Sequence, residues 1–500
     1  MKPSAYQKDI YKIFTQSSDN INISAVAGSG KTTVLIELLK LLPKDKTAVF
    51  MAFNNSIVDE LKERIKTTAQ VQVTTIHSYG WRAIMNRYGH RAKMNPNKAI
   101  GKVERVLKRY DDIKPNRRGW YFYIIPKIAD LLRCNLLDAT KDNIEYIADH
   151  YDLVVGDREI EVALEVFRLM NQDKTQFDFM DMIYQPYIDA SIRLPKFDYV
   201  FCDESQDFSL AQQEVIRKAL NRKGRLITVG DESQAIYGFA GADVDSYARL
   251  AELNGYSRSM PLSVCYRCAK NIVMEAREIV PHIEYSPDAE LGVVRWGSLS
   301  DIERGDWVLC RNLKPLVQTY LWLLKHRIKA RIRGKDIGEG IVALIVKTGA
   351  RTLTGLLHLL DAEEAKLLRR LAERGVRNPS LHPKIELLHQ RRDVIETLMV
   401  EVDSVPALIS TISGIFTDEV KGICLSTIHK AKGLENERIF FLCPELIPSK
   451  FATQPWQFEQ ERNLRYVAIT RARRELVYVS GSQFRDDILQ NIVINKSNRR

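Results

Sequence analysis

The chain is poor in cysteine, with seven in 500 residues, and only Cys265 and Cys268 stand close together. No second pair follows at zinc-ligand spacing, which argues against a zinc scaffold or a disulfide framework and leaves reduced thiols in a cytoplasmic or nucleoid-associated protein. A run of 18 apolar residues is also missing, so no membrane span is expected. The opening MKPSAYQKDI has no apolar signal core. Internal repeats and long low-complexity tracts are absent too, as is an acidic cluster at nuclease spacing. What is present is a globular composition, 45% hydrophobic and 27% charged, over a length that allows three or four domains. Lys and Arg outnumber Asp and Glu 74 to 63, a formal net charge of +11, which favours a polyanionic partner.

The most informative stretch is Ala25-Val26-Ala27-Gly28-Ser29-Gly30-Lys31-Thr32. An apolar run from Ile21 to Val26 enters it, and a helix-forming segment from Thr33 to Leu42 leaves it before Pro43. A glycine turn between strand and helix wraps a phosphate chain. The backbone N–H groups of Gly28, Ser29, Gly30 and the first helical residues to Thr33 point at the anion, aided by the helix dipole. Lys31 then reaches the β- and γ-phosphates, and the Thr32 hydroxyl serves Mg²⁺. The general phosphate-loop pattern has glycine at position 25, where this chain has alanine.

Further strand ends carry polar residues. Thr47 to Phe53 runs into Asn54-Asn55, Val71 to Ile76 delivers His77, and Tyr199 to Cys202 ends in Asp203-Glu204. Beside a phosphate loop, Asp203 suits a Mg²⁺ water shell and Glu204 suits orienting and deprotonating an attacking water. A strand over 225–229 leads to Gln234, placed to sense a γ-phosphate. Tyr237 and Phe239 follow, as base-stacking candidates or as core aromatics. Strands alternating with helices imply an α/β fold with parallel sheets. The expected division is a first core over 1–86 and 196–261, interrupted by a helical insertion at 87–195. A second core spans 262–335 and 415–490, interrupted by a small helical insertion at 336–414, and a basic tail covers 491–500. The insertion at 87–195 is rich in Lys, Arg and aromatics, which fits a nucleic-acid backbone or a solvated basic face.

Taken together, GSGKT, CDESQD, GDESQAIYGFAGAD, TIHKAKGLE and YVAITRAR resemble the motif set of superfamily 1 helicases of the UvrD/Rep type, in order across residues 7 to 474. The resemblance implies two RecA-like cores that use ATP and Mg²⁺ and hold single-stranded DNA. It implies that Gln7 reads the adenine, Tyr266 stacks on it, Glu435 holds the ribose, and Gln234, Arg267 and Arg471 contact the γ-phosphate. It also implies DNA contacts from Phe53, Asn55, His77, Tyr237, Phe239 and His429. Its activity would be ATP-dependent 3′-to-5′ translocation on single strands and unwinding of tailed duplexes, in repair or replication, with a nuclease or repair factor as a possible partner. Two other readings are a single-strand-stripping ATPase that leaves duplex intact and a nucleotide-gated interaction module.

Several positions depart from the family pattern. Val26 replaces a loop glycine, Ser56 a lysine, Ala240 an arginine and Phe239 a tryptophan. The segment after Arg471 has little room for a strand-separating hairpin. Phe484 is the nearest aromatic wedge candidate there, and also a plausible packing residue.

Overall fold

The computed structural model describes residues 3–497 apart from 53–54, 66–68, 114, 152, 154, 244, 254, 256, 374–377 and 419–421. Two units divide between Ser263 and Val264. The first carries a six-stranded sheet built from β1 (Asn20–Ala25), β2 (Thr47–Ala52), β3 (Gln70–Thr75), β4 (Phe197–Cys202), β5 (Leu220–Gly230) and β6 (Ser257–Leu262). Its spatial order is β3-β2-β4-β5-β1-β6, and every neighbouring pair is parallel. Leu262, which the sequence placed at the start of the second core, completes β6 of the first.

Strand β1 alternates Asn and Ile. Ile21, Ile23 and Ala25 enter the apolar core on one face of the sheet. Asn20 and Asn22 are buried on the other, and their amides are satisfied sideways: Asn20 Oδ1 accepts the Leu226 N–H at 2.8 Å and Asn22 Oδ1 accepts the Thr228 hydroxyl at 2.5 Å. A buried amide without such partners would cost more than its strand pairing returns. These bonds tie β1 to β5 in register.

Helices α1 (Ala5–Gln16) and α2 (Lys31–Lys40) cover the Ile21 face, with Ile10, Phe14, Val34, Leu35, Leu38 and Leu39 in the same core. After α3 (Asn55–Arg64), α4 (Ile76–Tyr88) opens directly from β3 and packs on the opposite face. Helices α5 (Lys98–Leu107), α6 (Pro115–Cys134), α7 (Lys141–His150), α8 (Asp157–Gln172) and α9 (Asp181–Ile188) lie between β3 and β4 and enclose a core of their own. The first unit closes with α10 (Leu210–Ala219) and α11 (Ser246–Glu252).

The second unit holds a seven-stranded parallel sheet: β7 (Val293–Trp296), β8 (Trp307–Cys310), β9 (Ala330–Arg333), β10 (Phe416–Thr417), β11 (Ile423–Thr427), β12 (Asn436–Leu442) and β13 (Ala472–Val479), in the order β7-β13-β12-β8-β11-β9-β10. Its helices are α12 (Lys270–Arg277), α13 (Leu313–Lys325), α14 (Lys335–Thr348), α15 (Leu353–Glu373), α16 (Pro383–Met399), α17 (Val405–Ile415), α18 (Ile428–Ala431), α19 (Pro455–Ile469) and α20 (Gly481–Ser497). Leu356 and Leu360 of α15 share one apolar core with Val308 and Ile332 of the sheet. Among the described residues, no single helix is long and apolar enough to cross a membrane.

Candidate nucleotide and nucleic-acid sites

The turn between β1 and α2 needs glycine at two positions: Gly28 has φ 68° and Gly30 has φ 84°, the left-handed region that side chains disfavour. Ser29 pins the turn, its hydroxyl donating to the Val26 carbonyl at 2.8 Å. Helix α2 starts at Lys31 with no side-chain cap on Gly30, which suits an N-terminus meant for an anion. Above the turn sits Gln7. Its Oε1 accepts the Ser4 N–H at 3.0 Å, while its Nε2 lies 3.7 Å from where a Cβ on Gly30 would stand. The capping interaction thus aims the amide N–H₂ at the loop.

At the end of β4 the acidic pair meets this loop. Lys31 Nζ lies 3.0 Å from Glu204 Oε2, and the Thr32 hydroxyl donates to Asp203 Oδ2 at 2.7 Å. Burial works against the Lys31 charge, but Glu204, Asp231 and Asp203 outweigh it and hold its pKa above the ordinary lysine value. Asp203 is 2% exposed; burial and the adjoining Glu204 push its carboxyl up to about 6, against the pull of Lys31 and Thr32. Glu204 occupies left-handed backbone space, φ 54° and ψ 43°, an uncommon state for a non-glycine residue and one that turns its carboxylate back toward the loop.

Two residues that the sequence reading passed over complete the cluster. Gln206 donates to Glu204 Oε2 at 2.7 Å and accepts the Asp231 N–H at 2.9 Å, so one amide joins the ends of β4 and β5. Asp231 in turn takes the Gln234 Nε2 at 2.6 Å. Gly230 allows this approach, because a Cβ there would lie 2.4 Å from Ser205 Oγ. Both residues sit inside motif stretches, DESQD and GDESQ, and that position was their sequence signal.

The hard oxygens of Thr32 and Asp203, one hydroxyl and one carboxylate, fit Mg²⁺, which takes few protein ligands and completes its octahedron with water and phosphate. Among the described residues no group of three or more His, Cys, Asp or Glu is placed to hold a metal ion.

The second unit gathers its own polar set. Arg267 forms an ion pair with Glu435, and its Nη1 donates to the Thr470 carbonyl at 3.4 Å. Arg471, 1% exposed, donates to the carbonyls of Val467 and Leu434, each at 3.0 Å. The loops after α18 and α19 therefore bring Arg267, Glu435 and Arg471 together. Tyr266 beside them is half-buried.

Of the expected DNA contacts, His77 lies in the first turn of α4, whose N-cap Thr75 accepts the Ser78 N–H at 3.1 Å. Burial lowers its pKa to about 4. The ring of Phe179 stacks on it with centroids 4.0 Å apart and is itself 58% exposed. Phe179 was not foreseen; a lone Phe in an insertion reads as core. Tyr237 is half-buried, and its carbonyl accepts the Ala240 N–H at 2.9 Å. His429 opens α18, where burial, helped by Arg311 and Lys432, lowers its pKa to about 3. Phe53 and the side chains of Asn55 and Phe239 lie outside the described residues. Phe484, the wedge candidate, is 4% exposed and packed in the core of the second unit.

Comparison with known proteins places this geometry. Residues 6–253 match the profile of the UvrD/REP helicase N-terminal domain, and residues 391–483 match that of the UvrD-like helicase C-terminal domain. The chain belongs to the UvrD/REP helicase family. The two sheets are accordingly its RecA-like cores. Among UvrD/REP relatives, the ATP-dependent DNA helicase PcrA of Staphylococcus epidermidis is 28% identical over 355 residues, 66% of this chain and 46% of that protein. The protein of the same name from Staphylococcus aureus is 27% identical over 284 residues, 52% of this chain and 37% of the relative. The matched region thus spans less than half of each of these relatives.

Proposed function

We propose that this protein is an ATP-driven motor that moves along single-stranded DNA with 3′-to-5′ polarity. The observation that carries the reading is the convergence of Lys31, Thr32, Asp203 and Glu204 on one glycine turn. Lys31 would exchange Glu204 for the β- and γ-phosphate oxygens. Glu204, released, would take the proton of the attacking water, with Gln206 fixing its orientation and Gln234 facing the γ-phosphate. Thr32 and Asp203 would hold Mg²⁺, which supplies charge neutralisation on the phosphates when bound. Gln7 and Tyr266 would hold the adenine and Glu435 the ribose.

Arg267 and Arg471 would stabilise the charge that develops on the transferred phosphoryl group. Both are engaged with protein acceptors, so reaching a phosphate means exchanging those bonds, and nucleotide state becomes coupled to the loops around Glu435 and Thr470. For DNA, the stacked His77–Phe179 pair supplies an aromatic face of the kind that bases stack on. Tyr237, Phe239, His429, Phe53 and Asn55 would extend the track. The burial of Phe484 favours translocation as the primary activity, with strand separation a separate question. The deciding measurement is ATP turnover with and without single-stranded DNA, alongside displacement of duplexes bearing a 3′ or a 5′ tail. Stimulation by the single strand with preference for the 3′ tail is expected; turnover indifferent to DNA would overturn the motor reading.

A further inference from the structure

Outside the motif sites, the second unit presents a row of cations beside a large cavity. Helix α13 ends at Lys325, Arg327 follows with φ 61°, and the chain runs on through Lys329 into β9. Ala330 and Ile332 turn into the core, while Arg327, Lys329 and Arg331 are exposed. These three, with Lys335, line a cavity of about 1020 Å³, whose acidic members are Glu339 and Asp418. Both acids are engaged by Lys335: its Nζ lies 3.9 Å from Glu339, and its N–H donates to Asp418 at 3.4 Å. Among the described residues, no carboxylate lies within ion-pair distance of Arg327, Lys329 or Arg331. The side-chain bond recorded for Arg331 is to the Ala330 carbonyl at 3.5 Å.

Among the described residues these three adjacent cations have no counter-charge within ion-pair distance, so they repel one another, and a polyanion relieves that repulsion. Lys329 and Arg331, two residues apart on an extended strand, are separated by about 7 Å. Among the described residues the cavity offers no aromatic face, since Tyr320 and Phe416 on its wall are packed into the core. A single strand is held by stacking as well as charge, whereas a duplex keeps its bases inside and shows mainly phosphates.

We propose that the cavity bounded by Arg327, Lys329 and Arg331 is a second DNA contact, gripping the phosphate backbone of the duplex arm of a tailed substrate. It rests on the motor reading for its biological use, but not for its test. Fluorescence anisotropy without nucleotide compares the full chain with an Arg327→Gln, Lys329→Gln, Arg331→Gln variant on a blunt duplex and on a thymidine single strand. Duplex affinity should fall at least tenfold, and the slope of log affinity against log salt should shrink by about 0.9 per cation removed. Single-strand affinity and single-strand-stimulated ATPase should stay within twofold. Single variants at Lys329 and Arg331 should each show one step of the slope change. Unchanged duplex affinity and slope would overturn the proposal. So would an equal loss on the single strand, or displacement of duplex by inorganic phosphate at constant ionic strength, which marks a small-anion pocket. If the wild-type chain shows no DNA-stimulated ATPase, the motor reading fails while the duplex titration still decides this surface.

Discussion

Lys31 faces Glu204, Asp203 and Asp231 at the loop, so its removal does two things. Lys31→Ala deletes the phosphate contact and leaves those carboxylates to repel an incoming nucleotide. ATP turnover should fall below detection while single-strand affinity stays within about twofold, because phosphate-tracking contacts lie elsewhere; residual turnover above a few per cent in the purified variant would remove Lys31 from the site. Gln206→Ala cuts the link between Glu204 and Asp231 without touching a charge. Turnover is expected to drop about 10- to 100-fold, as for other residues that orient a reacting group, with nucleotide affinity little changed. His77 gives a stability prediction. The unfolded chain binds a proton on this histidine near pH 6.5, the folded chain only near pH 4. Stability is therefore unaffected above pH 6.5 and lost as pH falls through that window, by about 2 kcal/mol between pH 7 and 5. Urea unfolding of His77→Gln should show a shallower loss over the same interval; identical slopes would mean that His77 titrates normally.

Within the helical insertion, Phe179 owes its position to a buried ion network. Lys98 Nζ lies 2.6 Å from Asp181, and both side chains are fully buried. Arg133 of α6 reaches Asp178 at 2.7 Å and Asp181 at 3.2 Å. Phe179 sits between those two aspartates in sequence, so the network holds the short loop that presents its ring to His77. Arg133→Met leaves Asp178 buried and uncompensated and should cost about 3 to 5 kcal/mol in unfolding free energy. A loss below 1 kcal/mol would show that apolar packing, not the network, holds the loop. At this scale the sequence was readable where apolar runs were long and the motifs sharp. The strands after 46, 69 and 196 fell within a residue or two of expectation, as did the glycine turn and the acidic strand end. The edge strands β6 and β7 were not legible. β6 reads Ser-Arg-Ser-Met-Pro-Leu, polar and proline-bearing, because an edge strand is covered on fewer sides and needs less apolar surface. Phe179 was hidden for another reason: its role depends on a partner 102 residues away, and spacing along the chain carries no trace of that.

For the molecule as a whole, the motor reading requires Arg471 to act on a phosphate bound by the first unit's loop. Arg471→Lys keeps the charge but loses the planar fork that suits phosphate oxygens. ATP turnover should fall by about 10³ to 10⁵, with nucleotide affinity retained through Lys31, Gln7 and Tyr266. Near-normal turnover on the same preparation would show that each unit works alone. The placement of β1 bears on how such a molecule comes into being. It is flanked by β5 and β6, with Ile21 opposite Ile227 and Asn20 opposite Ser257. The strand that carries the phosphate loop is thus made among the first and paired among the last. At about 5 to 20 residues per second, a ribosome needs on the order of 10 to 50 seconds to bring out the missing neighbours. Throughout that interval Ile21 and Ile23 have no sheet to enter, while the insertion helices, whose contacts are local, can already collapse. The phosphate-loop turn therefore takes its final form only after β5 and β6 have been made.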